Sequence, residues 1–210
     1  TTTYELLISA LIETLKETTK KEKISIILES HGRKVDGIEM DISRTVGWFT
    51  YFYPLSVHHT YNNLIDLVVN VKDILRKQEE YTRDYMIDYK YHNKSIISKN
   101  DLCFNFLGNM NMAYKQFDVS YDQYQYDVSE KNGISSAIEI NCMIQNKELK
   151  VFAKSDGCYI SQAELEQLIS IFANNIKMII EILLGEKKQW TISDFDTIDI
   201  TTDELMDLFE

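Results

Sequence analysis

The apolar residues of this chain follow a helical repeat in some segments and a strand pattern in others. Three segments carry apolar side chains every three or four residues: 4–18, 61–78 and 165–183. Three shorter runs are mostly apolar or aromatic, as strands are: 24–28, 45–53 and 102–107. Residues 138–153 alternate between apolar and polar side chains around an Asn146-Lys147 turn, which predicts a hairpin. The mixture predicts an α/β fold in which helices pack on a mixed sheet.

The charge is concentrated at one end of the chain. There are 22 basic and 33 acidic residues in 210, and residues 191–210 carry seven acidic side chains with neither Lys nor Arg. We therefore divide the chain into a nearly balanced body, residues 1–190, and an acidic segment with a short helix, residues 191–210. A net charge of −11 does not suit binding to nucleic acid or to an anionic membrane. No run of about 18 apolar residues is found, so we expect no membrane span.

The three cysteines, Cys103, Cys142 and Cys158, are few and widely spaced. They fit neither a disulfide framework nor a CxxC metal site, so we expect no metal. Such cysteine usage is typical of a reducing compartment, and we expect the cytoplasm.

A first polar cluster follows the predicted strand 24–28. It reads Glu-Ser-His-Gly-Arg at residues 29–33, and sites in open α/β sheets form where strands end. The carboxylate of Glu29, the imidazole of His31 and the guanidinium of Arg33 suit acid–base chemistry. A solvated cluster of ion pairs is the alternative that these residue types leave open.

Two further segments combine aromatic and polar residues. Residues 44–54 begin with Arg44 and end at the only proline, Pro54, and we expect the aromatic side chains between them to form a core strand. The core prediction applies to Trp48, Phe49 and Phe52. In the strand 102–107, a buried Asn105 would need hydrogen-bond partners. It would satisfy a bulge or point into a site.

In chain order, these three segments resemble the motifs of the epimerization domains of nonribosomal peptide synthetases. The family forms are EGHGRE, RTVGWFTxxYP and FNYLG, and this chain has ESHGR at 29–33, RTVGWFT at 44–50 with Tyr53-Pro54, and FNFLG at 104–108. Ser193-Asp194-Phe195 is similar to the family's PSDF segment. The resemblance covers nearly the whole chain and implies the condensation-domain superfamily, whose fold is similar to that of chloramphenicol acetyltransferase.

The resemblance implies a two-lobed enzyme with its active site between the lobes. We expect this chain, which begins at Thr1 rather than Met, to be the C-terminal lobe alone and to be inactive without the N-terminal lobe. The family's HHxxxDG motif belongs to that other lobe. His58-His59 does not match it, because Asn63 and Leu64 stand where the motif needs Asp and Gly. We expect His58 and His59 at a surface or a strand end.

The activity that the resemblance implies is inversion of an aminoacyl or peptidyl thioester at Cα. The substrate hangs on the 4′-phosphopantetheine arm of a peptidyl carrier protein, in the biosynthesis of peptide antibiotics, and no cofactor is tightly bound. Glu29 matches the family's catalytic glutamate, and an imidazole from the N-terminal lobe would complete the acid–base pair. Arg44 and Asn105 would orient substrate or the developing enolate.

The remaining matches would shape the cleft. His31, Gly32 and Arg33 would form its loop, with Arg33 in a structural ion pair. Trp48 and Phe106 would lie at the cleft as well.

The chain also departs from the family pattern. Ser30 replaces a glycine, Lys34 replaces the second glutamate, Phe106 replaces a tyrosine, and residues 80–92 lack the family's PxxGxGYG motif. Two alternatives therefore stay open. One is a condensation enzyme that forms an amide bond, although the RTVGWFT segment argues against it. The other is a degenerate lobe used for docking of the carrier protein.

Overall fold

The computed structural model describes residues 1–33, 41–42, 44–58, 60–78, 101–110, 136–155, 157–185 and 194. Within them lie α1 (Thr3–Thr19), β1 (Lys23–Ser30), β2 (Tyr51–His58), α2 (Leu64–Gln78), β3 (Leu102–Asn109), β4 (Ile138–Gln145), β5 (Glu148–Ser155) and α3 (Gln162–Gly185). The predicted α/β class with a mixed sheet is confirmed. Lys34, His59, residues 80–92 and, apart from Asp194, the acidic segment 191–210 lie outside the described residues.

The first helix has well-defined ends. The Thr2 backbone N–H donates to the Glu5 carboxylate (2.6 Å), and the Glu5 backbone N–H donates to the Thr2 hydroxyl (3.2 Å). This reciprocal capping box satisfies N–H groups that have no partner inside the helix. The helix ends at Lys20 in the left-handed region, with φ of 57°. The predicted helix 4–18 is therefore confirmed.

One compact unit contains α1, α2 and most of α3, and we call it the helical unit. It comprises residues 1–24, 56–83 and 168–210. Polar contacts join its helices in a buried interior. The Asn175 amide of α3 donates to the Thr14 hydroxyl of α1 (3.1 Å), and the Tyr61 hydroxyl donates to the Glu13 carboxylate (2.8 Å). Burial raises the pKa of Tyr61, and the hydrogen bond to Glu13 raises it further.

Helix α3 is both long and apolar. Over 18 residues its mean hydropathy reaches 1.6, so by length and composition alone it could cross a membrane. The sequence, which has no run of about 18 apolar residues, predicts no such segment. Core helices of soluble proteins pass the same criteria. One face of α3 is buried, through Leu165, Leu168, Phe172, Ile176 and Ile179. The expectation that the chain has no membrane span therefore stays a prediction.

The second compact unit, residues 25–55 and 84–167, contains most of the five-stranded sheet. The strand order is β2-β1-β3-β4-β5, with β1, β3 and β4 parallel and β5 antiparallel to β4. The predicted hairpin is confirmed, and Asn146 and Lys147 have φ of 52° and 65°, as a type I′ turn requires.

The two faces of the sheet differ in chemistry. Because successive strand residues point to opposite faces, Phe104, Ile140 and Cys142 share one face, and all three are buried. The other face carries polar side chains from four strands beside apolar ones such as Ile27 and Phe152, and we call it the polar face. Its polar members are Glu29 of β1, Cys103 and Asn105 of β3, Glu139 and Asn141 of β4, and Lys154 of β5.

The aromatic strand differs from its prediction. The expected strand 45–53 was to end at Pro54, but β2 runs from Tyr51 to His58 with Pro54 inside it. An edge strand tolerates proline, because an N–H that points away from the sheet is not needed in the ladder. The core prediction for Trp48 is wrong, since this side chain is 88% exposed and lies before the strand.

Phe49 and Phe52 are only half-buried, and the buried side chains of this segment are Tyr53, Leu55 and Val57. His58 is exposed at the end of β2, as predicted.

Candidate functional site

Glu29 occupies the penultimate position of β1, on the polar face. The parallel register pairs Leu28 with Phe104, and its continuation by one residue places Glu29 beside Asn105. The Glu29 side chain is half-buried. Within the part of the chain that the structure describes, its carboxylate has no hydrogen-bond or ion-pair partner.

The surroundings of Glu29 favour its protonated form. Burial raises the pKa of the Glu29 carboxyl, and the negative charge of Glu139 raises it further. A raised pKa brings a carboxyl closer to the range in which one group can both accept and donate a proton. Glu29 therefore has the properties of an acid–base group.

A row of residues in register crosses the polar face next to Glu29. Ile27 of β1 pairs with Cys103, Cys103 with Glu139, and Glu139 with Lys154. Lys154 Nζ lies 2.7 Å from Glu139 Oε2. Burial, Glu29 and Glu139 raise the pKa of the Cys103 thiol to about 12, although Lys154 lowers it. At neutral pH this cysteine is a thiol, so it is not a nucleophile.

Asn105 lies in regular register with Asn141 on the polar face. The register shifts further along β3, between Phe106 and Asn109. Of the two roles open to Asn105, the structure therefore favours facing Glu29 over satisfying a bulge. Phe106 pairs with Cys142 and, by alternation, points to the apolar face. The structure thus does not bring Phe106 together with Glu29.

The turn after Glu29 requires a glycine. Gly32 has φ of 64°, in the left-handed region. A Cβ at Gly32 would lie 1.9 Å from the backbone oxygen of Phe49. Only glycine permits both this conformation and this close approach. His31 is exposed, and its Nδ1 accepts a hydrogen bond from the Arg33 backbone N–H (3.0 Å), so it supports the turn.

Arg33 organises the segment that precedes β2. Its guanidinium donates to the backbone oxygens of Ile42 (3.0 Å), Thr45 (2.9 Å) and Gly47 (3.4 Å). It also stacks over the Phe49 ring, 4.7 Å from the centroid. The expected structural role agrees with these contacts, but its partners among the described residues are carbonyls rather than a carboxylate. Three donors of one planar group suit such a set of acceptors.

Arg44 and Trp48 belong to this segment, and both are exposed. No contact in the described residues joins them to Glu29. The structure thus assembles Glu29, Asn105, Glu139 and Asn141 on one face, and it presents Arg44 and Trp48 to solvent. No group of three or more His, Cys, Asp or Glu residues in the described ranges could hold a metal ion.

Sequence motifs miss Glu139 and Lys154, because neither belongs to a polar cluster along the chain. The signal that could have found them is the alternation in residues 138–144. It places Glu139 and Asn141 on one face, opposite the apolar residues.

A protein-family model described as "Condensation domain" matches residues 1–201. The chain is 31% identical to surfactin synthase subunit 2 of Bacillus subtilis (strain 168), over 98% of this chain and 6% of that protein. It is 30% identical to bacitracin synthase 1 of Bacillus licheniformis, over 96% of this chain and 4% of that protein. The chain thus spans less than a tenth of either relative.

Solved structures share the fold. The epimerization domain from the third module of tyrocidine synthetase B has a TM-score of 0.72 and 23% identity, over 89% of this chain and 43% of that one. The first condensation domain of the CDA synthetase has a TM-score of 0.59 and 13% identity, over 83% of this chain and 39% of that one. The predicted fold class, shared with condensation-type domains, is therefore confirmed.

Proposed function

We propose a function for this chain from the premise that it belongs to the condensation-domain family. Within that family, we propose that it is the C-terminal lobe of an epimerization domain of a nonribosomal peptide synthetase. The observation that carries the proposal is Glu29, a half-buried carboxyl of raised pKa beside Asn105 on the polar face. The RTVGWFT sequence at residues 44–50, which resembles the epimerization motif, supports it.

The reaction inverts a Cα centre without net consumption of protons. One group removes the Cα proton of the thioester, and the electron pair of the broken C–H bond moves into the thioester carbonyl as an enolate. A second group then returns a proton to the opposite face of the same carbon. Glu29 suits one of these roles because its pKa is raised towards the range of an effective acid–base group. The side-chain amide of Asn105 would donate a hydrogen bond to the enolate oxygen.

The second acid–base group would come from the N-terminal lobe as an imidazole. The substrate would be an aminoacyl or peptidyl thioester on the phosphopantetheine arm of a carrier protein, in the cytoplasm. His31 and Arg33 hold the turn and the segment before β2, so we assign them a structural role. Arg44 and Trp48, both exposed, are available to contact the substrate arm or the other lobe.

The decisive experiment measures Cα hydrogen exchange in the full-length synthetase. With a loaded amino acid in deuterated water, Glu29→Gln should reduce deuterium incorporation and D/L equilibration at least about 100-fold, the size of a general acid–base contribution. The matched control is Glu148→Gln, which changes an exposed glutamate at the start of β5. Loading of the carrier should be the same in all three proteins. Undiminished exchange in Glu29→Gln would refute the catalytic role.

Amide bond formation is the second candidate, favoured by the condensation-domain model and by the fold shared with a solved condensation domain. An amide product with a downstream acceptor, without Cα exchange, would establish it. Absence of both reactions in the native synthetase would favour the degenerate lobe that only docks the carrier protein.

A further inference from the structure

The polar face holds a second carboxylate that the proposed reaction does not use. Glu139 of β4 lies in register with Cys103 of β3 and with Lys154 of β5, and it shares a face with Glu29. Its side chain is 21% exposed and pairs with Lys154 at 2.7 Å. Glu29 lies two residues beyond Ile27, which is the partner of Cys103. The two glutamates therefore occupy neighbouring rows of one face, separated by a single strand.

We propose that the Glu139–Lys154 ion pair sets the protonation of Glu29: Glu139 helps to retain a proton on Glu29, and Lys154 limits this effect by neutralising Glu139. The inference rests on the proposed function, because it assumes that Glu29 exchanges a proton with the substrate. Glu139 contacts no reacting atom in this scheme, so it is a positioning residue.

The physical basis is repulsion between like charges. Two carboxylates on one face resist ionising together, so the ionised Glu139 favours the neutral form of Glu29. The charge of Glu139 accordingly raises the pKa of Glu29 in addition to the effect of burial. The same two partners act in opposite directions on Cys103, since Glu139 raises the pKa of its thiol and Lys154 lowers it. The pKa of the Cys103 thiol can therefore be used to measure the electrostatic effect of Glu139 and Lys154 on this face.

The other charged groups that the described strands place on this side of the sheet lie outside the rows of Glu29 and Cys103. Lys150 and Glu148 pair with each other at 2.8 Å near the turn between β4 and β5. Lys23 lies at the start of β1, and Asp101 lies just before β3. The Lys150–Glu148 pair provides a matched control. Like Lys154, both of its residues belong to β5, but they lie outside the row of Cys103.

The first test is the pH dependence of Cα exchange in the full-length synthetase. Glu139→Gln should lower the lower apparent pKa of the pH–rate profile by about half a unit, as expected for one charge across a partly solvated face. Lys154→Met should raise it by a smaller amount. Lys150→Met should leave it unchanged. A merely structural role for the ion pair would reduce the rate in both variants without moving the profile in opposite directions.

The second test does not depend on activity. Alkylation of Cys103 in the same full-length variants is followed by mass spectrometry of its peptide, at a pH well below 12, where the rate is proportional to the thiolate fraction. Glu139→Gln should accelerate alkylation about threefold, and Lys154→Met should slow it about twofold. Changes in the same direction, or none, would overturn the inference.

The two tests separate the inference from the proposed function. If exchange occurs but neither the profile nor the alkylation rate responds, the inference fails and the proposed function stands. If the native synthetase shows no exchange while the alkylation rates move in opposite directions, the proposed function fails and the control of the field by the ion pair stands.

Discussion

Two charged clusters in this chain are assembled in different ways. In the helical unit, Asp194 accepts from Lys72 (2.6 Å) and Arg76 (3.0 Å), and Arg76 also donates to Glu5 (3.2 Å). We call these four residues the helical network, and its two cations balance its two anions. On the polar face, Lys154 pairs with Glu139, and Glu29 has no partner among the described residues.

The difference indicates different uses of charge. A buried charge is tolerated in a stable fold when a partner compensates its loss of hydration, and the helical network provides such partners. Burial lowers the pKa of Arg76, but hydrogen bonds and the charges of Asp194 and Glu5 outweigh it, so that the pKa is raised. Glu29 is destabilised in its charged form instead, as acid–base groups often are. We infer that the first cluster stabilises the fold and that the second serves the proposed reaction.

The largest effect is expected from breaking the helical network. Asp194→Asn removes the anion that neutralises Lys72, which is only 4% exposed. Removal of one partner from a buried ion pair costs about 3 kcal/mol, so local opening of α2 should become about 100-fold more frequent. Hydrogen exchange of α1 and α2 peptides, followed by mass spectrometry, measures this change.

The control for this variant is Glu148→Gln, which removes an exposed ion pair with Lys150. Exposed ion pairs contribute little, so the exchange of β5 peptides should not change measurably. If Asp194→Asn were as mild as this control, the helical network would contribute no more than a surface pair, and the contrast between the two clusters would be lost.

A smaller effect is expected at the turn that follows Glu29. Gly32→Ala should destabilise β1 and β2 by about 2 kcal/mol, since the new Cβ is strained at positive φ and would collide with Phe49 backbone oxygen. Gly157→Ala is the matched variant: φ is 75°, but no atom lies within 4 Å of the added carbon. It should cost about 1 kcal/mol. Equal effects in hydrogen exchange would show that the close approach at Gly32 contributes nothing.

Much of the fold follows from local patterns in the sequence. The helices, the hairpin at Asn146-Lys147 and the strand of Glu29 are predicted because each depends on neighbouring residues. The limits of β2 are not predicted. A proline is acceptable within a strand only at the edge of a sheet, and whether β2 is an edge strand depends on the order of all the strands. The prediction that Trp48 lies in the core fails for a similar reason. Hydrogen bonds from Arg33, more than ten residues earlier in the chain, determine the path of the segment that contains Trp48.

The candidate site divides in the same way. Glu29 and Asn105 are found from motifs, because each lies in a compact cluster of polar and aromatic residues. The charged residues near Glu29 and Asn105 are not found from motifs. Glu139 and Lys154 come to the polar face only because β3, β4 and β5 pair with one another. Asp194 is recognised from its motif, but its role is evident only from contacts with Lys72 and Arg76, more than a hundred residues away in sequence.

The smallest effect is expected on stability, and it tests whether the charge of Glu29 is uncompensated in the folded protein. The pKa of Glu29 is raised above the 4.5 of an ordinary glutamate, so the folded state binds its proton more tightly than the unfolded state does. The resulting stabilisation is fully present below about pH 4.5 and is lost as the pH rises through the raised pKa. Above the raised pKa the ionised Glu29 is therefore unfavourable, and there Glu29→Gln should slow hydrogen exchange of β1 and β3 relative to the native protein.

This gain should disappear when the pH falls below 4.5, where both side chains are neutral. Because intrinsic exchange rates at one pH are the same for the two proteins, their ratio reports the difference in stability directly. Glu148→Gln should leave hydrogen exchange unchanged at both pH values, since its ion pair with Lys150 is exposed and contributes little. A Glu29→Gln protein that loses stability at neutral pH would mean that Glu29 is compensated as the helical network is, and that its carboxylate serves the fold.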